Sequence, residues 1–173
     1  ITFTTASPAT TSGAGIYAVQ DTGAGGKIVL DDDAGGTPGT ALAGGTSVID
    51  LTAGTGGITA ASANNTVAEI ATTGATVTMN TTGTIGTNAN RIQLADNTNT
   101  AQQRVVIGGA NQASNVSLDG LGTLTIAGIT GNTANTVVDV TARAGLNVDG
   151  TLTTGTGTIV LGADLNADGT ADS

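Results

Sequence analysis

The chain has 173 residues and a mass of 16.4 kDa, and Thr, Ala and Gly make up more than half of it. It has no His, Cys or Trp, a single Phe and a single Tyr, and four basic against thirteen acidic residues, for a formal charge of −9. Disulfides, His/Cys metal centres and Ser–His or Cys nucleophile systems are therefore excluded, and neither the cations nor the rings that nucleic acid or an anionic membrane surface demands are present.

Short apolar clusters with period-two alternation run the length of the chain. In order they are Ile16–Val19, Ile28–Leu30, Val48–Leu51, Val67–Ile70, Val77–Met79 and Ile92–Leu94, then Val105–Ile107, Val116–Leu118, Leu124–Ile126, Val138–Val140, Leu146–Val148 and Ile159–Leu161. Each has the pattern of a short strand with one face buried. Gly, Asn, Asp, Thr and Ser fill the intervals, as turns require. No window carries an i, i+3, i+4, i+7 apolar face over three turns, and no apolar run approaches the ~18 residues of a membrane-spanning helix. The reading is all-β.

Internal similarity adds a period. Thr66–Thr72 aligns with Thr136–Ala142 at an offset of 70, and Arg91-Ile-Gln-Leu94 with Thr158-Ile-Val-Leu161 at 67. Lys27-Ile-Val-Leu30 precedes Arg91–Leu94 by 64, and Asp31, Asp96 and Asp164 follow these three strands. The spacing implies units of 64–70 residues, approximately 27–90, 91–157 and a partial 158–173, in a single segment over 1–173. Its first residues, Ile-Thr-Phe-Thr, read as part of a longer chain. Small side chains allow close stacking of successive coils, and a narrow interior of Val, Ile and Leu needs no aromatic bulk. The expected architecture is a parallel β-solenoid of three strands and about 22 residues per coil, hence about eight coils at 4.8 Å each. Tandem β-sandwiches are the alternative, although each unit would have to build a complete core by itself.

The segments Gly122–Gly128, Leu146–Gly155 and Thr156–Asp164 resemble the β-strand repeats of secreted bacterial surface proteins, including filamentous-haemagglutinin-like adhesins and autotransporter passenger stalks. That resemblance implies a right-handed β-helical stalk or fibre outside the cell and brings no catalytic motif.

The sharpest local motif is Asp164-Leu-Asn166-Ala-Asp168-Gly169-Thr170-Ala-Asp172. Alternating carboxylate and amide oxygens, with a glycine for the turn, suit a hard cation. Asp164, Asn166 and Asp168 would supply side chains to Ca²⁺, Thr170 its carbonyl, and Asp172 a direct or water-mediated ligand. The motif resembles the first nine positions of EF-hand, dockerin and thrombospondin type 3 loops, without the acid expected at position twelve. A solvated turn is the other reading. Asp31-Asp32-Asp33 lacks the alternate spacing and reads as solvated. Asp139 and Asp149 could be imagined as a glycosidase pair, but the aromatic platforms that sugars stack on are missing. The Thr-x-Thr steps do not keep one coil position, which argues against an ice-binding face. The expected function is a non-catalytic extracellular fibre, filament or adhesin stalk that associates with itself. The alternative is a Ca²⁺-dependent carbohydrate- or cell-binding module with a cell-surface ligand.

Overall fold

The computed structural model describes residues 1–6, 8–10, 15–20, 24–96, 103–108, 112–131 and 136–163. The first coil carries β1 (Thr2–Thr4), β2 (Ala9–Thr10) and β3 (Ile16–Val19), and the second β4 (Lys27–Asp31), β5 (Leu42–Gly45) and β6 (Ile49–Thr52). The third holds β7 (Gly57–Ala60), β8 (Ile70–Thr72) and β9 (Thr76–Asn80), and the fourth β10 (Thr84–Ile85), β11 (Ile92–Asp96) and β12 (Gln103–Ile107). The fifth has two long strands, β13 (Asn115–Gly120) and β14 (Leu124–Thr130). The sixth follows with β15 (Val137–Ala142), β16 (Leu146–Val148) and β17 (Leu152–Thr153), and β18 (Thr158–Ala163) opens the seventh.

Every strand pairing among the described residues is parallel and joins one coil to the next. The chain is thus a parallel β-solenoid. Antiparallel tandem sandwiches are excluded as its architecture. One sheet has eleven strands, the other seven. Ile28, Ile58, Ile85, Val116, Val138 and Ile159 form one continuous interior column. Across the core, Ile16, Ile49, Val77, Val105 and Ile126 form another, which Val148 continues in register at an exposed position. Alternation explains both: residues i and i+2 share a face, so each x-polar-x cluster supplies two columns.

Two expectations about register are corrected. Successive coils along the first column span 30, 27, 31, 22 and 21 residues, so only the last two match the expected 22. The early coils are longer because segments 32–41, 61–69 and 86–91 are inserted at one corner between two strands of the same sheet. In the fifth coil that corner disappears. There β13 pairs with both β10 and β11, Val116 meeting Ile85 and Leu118 meeting Ile92. Ile28 therefore stacks on the column of Ile85, not that of Ile92, and the strands ending at Asp31 and Asp96 are not equivalent.

Ile28, Leu30, Ile92 and Leu94 lie in the core as expected. Ile159 and Leu161 continue the columns of Val138 and Val140 but are 39% and 41% exposed, because β18 has a strand neighbour on one side only among the described residues.

Close stacking depends on glycine where coils turn. Gly57 has φ +80°, and a Cβ there would lie 2.3 Å from the Thr84 carbonyl oxygen of the next coil. In the core, Ile58 is fully buried between Ile28 and Ile85. Ile58→Val removes one methylene from this column, and a loss of about 0.5–1.5 kcal/mol in unfolding free energy is expected from urea titration.

Candidate functional site

Charge and burial meet at the corner where the inserted segments cross. Gln93, Asp119 and Thr141 stand in register on β11, β13 and β15. They alternate with core residues such as Leu94 and Leu118, so their side chains leave the opposite face of the sheet. That face is not open to solvent. Segment 61–69 folds over it, and Asp32, Glu69, Gln93 and Asp119 are all at most 1% exposed.

Asn65 is the hub of the cover. Its backbone N–H donates to Gln93 Oε1 (2.8 Å), and its carbonyl accepts from Gln93 Nε2 (2.9 Å) and Arg143 Nη2 (2.6 Å). Its side-chain amide donates to Asp32 Oδ2 (2.6 Å), while the Ser62 hydroxyl donates to Asp32 Oδ1. Asp119 accepts on Oδ2 from Gln93 Nε2 and Arg143 Nη2, each at 3.0 Å, and on Oδ1 from the Thr141 hydroxyl at 2.9 Å. Glu69 Oε2 accepts the backbone N–H of Gln93 at 2.6 Å. Burial pushes the Glu69 carboxyl up to about 8. The backbone amides of Gln93 and Glu69 oppose that rise, and Asp32 and Asp119 add to it.

Beside this stack, Arg91 forms a two-point ion pair with Asp139, at 3.1 and 2.8 Å, and its Nη1 also donates to the Leu118 carbonyl. The pair reaches across three coils. Asn64 caps the arrangement by accepting the Arg91 backbone N–H at 2.6 Å. The Nε atoms of Arg91 and Arg143 are buried without a partner among the described residues. A second pair, Arg104 with Asp149 at 2.7 Å, lies in solvent on the other sheet, where such pairs contribute under about 1 kcal/mol.

These contacts place most of the acidic residues singled out in the sequence. Asp139 and Asp149 belong to separate ion pairs with different arginines. The Asp31–Asp33 run is not uniformly solvated: Asp32 turns inward to Ser62 and Asn65, while Asp31 accepts the Asp33 backbone N–H. Asp164, Asn166, Asp168, Thr170 and Asp172 lie outside the described residues. Among the described residues no group of three or more acids is placed to hold a metal ion.

The polar stack itself was not singled out from sequence. The available signals were the chain's one Glu and the placement of Arg91 and Arg143, two of only four cations. An open concavity of about 490 Å³ near β17 and β18 is lined, among the described residues, by Gln112, Thr130, Leu152, Thr153, Thr154 and Ile159 together with glycines. No protein-family model matches the chain, nor does any curated protein or solved structure.

Proposed function

We propose that this chain is a segment of an extracellular structural fibre, filament or adhesin stalk whose work is mechanical and which assembles along the solenoid axis. The observation that carries this reading is the continuity of the parallel ladders from β1 and β3 to β18 and β16. In a parallel solenoid the interstrand hydrogen bonds run along the axis, so extension loads the bonds of a whole coil together. The six register pairs between β13 and β15, and six more between β15 and β18, make such an interface. Placement outside the cell follows from the resemblance to secreted surface repeats.

Electron micrographs of the purified chain test the proposal. Thin fibres of uniform width that lengthen with protein concentration are expected. Discrete globular particles at every concentration would contradict it and favour the binding-module alternative.

A further inference from the structure

The corner stack holds more negative charge than its cations balance. Three buried carboxylates meet there: Asp32 from the segment after β4, Glu69 before β8 and Asp119 on β13. From β15 and the turn after it come Thr141 and Arg143, and Arg143 is committed to Asp119 and the Asn65 carbonyl. On β11 and just before it lie neutral Gln93 and Arg91, and Arg91 is committed to Asp139. Towards β5, the Ala41 and Leu42 backbone amides donate to the Glu69 carbonyl, at 3.1 and 2.9 Å, and not to its carboxyl.

The three acids differ in what stabilises an ionised form. Asp119 has a guanidinium, an amide and a hydroxyl. Asp32 has a hydroxyl and an amide. Glu69 has backbone amides, and no cation touches it among the described residues. Glu69 is the one whose carboxyl burial raises.

We propose that Glu69 is a proton-operated latch, which holds segment 61–68 closed over the polar stack while protonated and releases it on ionisation. An ionised Glu69 would sit buried beside two other carboxylates. Opening the cover relieves this by admitting water, at the expense of the Asn65 contacts to Gln93, Asp32 and Arg143. The strands beneath the cover keep their own ladder bonds, so the release is local. Burial raises the Glu69 carboxyl to about 8, so the release falls on the alkaline side of neutrality.

Hydrogen exchange on the intact chain tests this, with rates corrected for intrinsic amide chemistry. A peptide spanning 61–69 is expected to open at least ~tenfold more at pH 9 than at pH 6, while a peptide spanning 76–80 in β9 holds its protection. Glu69→Gln is expected to remove the pH dependence in 61–69. Equal corrected exchange at both pH values in the unmodified chain, the same dependence in Glu69→Gln, or a uniform rise across all peptides would overturn the latch. Should Glu69→Gln not fold, infrared titration of the unmodified chain decides. A protonated-carboxyl band that persists towards pH 8 supports the latch, and one already lost at pH 6 refutes it.

Discussion

Arg143→Ala is expected to lower the unfolding free energy by about 3 kcal/mol, because it leaves the Asp119 carboxylate buried without its cation. Asp119 is fully buried and Arg143 only 18% exposed, so water cannot replace the lost contact cheaply. The change also strips one donor from the Asn65 carbonyl, loosening the cover itself. Gln93 and Thr141 still donate to Asp119, which keeps the loss below that of an entirely unpaired charge. Arg143→Lys retains the positive charge on a shorter side chain, in place of the Nη2 that donates to both Asp119 Oδ2 and the Asn65 carbonyl, and should recover part of the stability. Urea midpoints of the three proteins, at constant slope, measure this. A loss in Arg143→Ala no larger than in Arg104→Ala, at the exposed pair, would show that the stack is not the stabilising element described here.

The second large effect is a pH dependence of global stability. The Glu69 carboxyl is raised from 4.5 to about 8 by burial. Between those values the folded chain holds a proton that the unfolded chain has released. Stability from this group is therefore complete below about pH 4.5, falls as pH rises towards 8, and levels off above it, with a slope approaching about 1.4 kcal/mol per unit. The chain has no His and no Cys to titrate within that window. Chemical denaturation at pH 5.5, 6.5 and 7.5 should give a falling series for the unmodified chain and a much flatter one for Glu69→Gln. Parallel series would assign the slope to other groups.

Strand positions were legible in the sequence wherever two large aliphatics flank one residue, as at Ile28/Leu30, Val77/Met79 and Ile92/Leu94, whose side chains are all core. Strands with one large aliphatic, such as β7 around Ile58 and β10 around Ile85, carried too little pattern to stand out among the surrounding Thr and Gly. Register was less legible, for a physical reason. The Lys27–Leu30 and Arg91–Leu94 motifs look alike because both present two aliphatics inward. They nonetheless sit in β4 and β11, on different ladders that merge only at β13. Similarly, aligning Ile92 with Ile159 keeps the face but slips two residues, since the pairings carry Ile92 through Leu118 and Val140 to Leu161. Period-two patterns fix the face and leave such slips unmarked. The polar stack was hidden for a different reason. Glu69, Gln93 and Asp119 occupy alternate positions that read as solvated, and only the distant segments holding Asp32 and Asn65 bury them.

Axial assembly is tested most directly at β18, the last described strand, where Ile159 and Leu161 extend two interior columns and are partly exposed. Sedimentation velocity should compare the unmodified chain with Ile159→Asp/Leu161→Asp, both shown by thermal melting to be folded. A carboxylate at each position puts an unpaired charge where a further coil would stack. The expected result is elongated species that grow with concentration in the unmodified chain, and monomers throughout in the double variant. Monomers in both, or the same growth in both, would contradict assembly through the solenoid end.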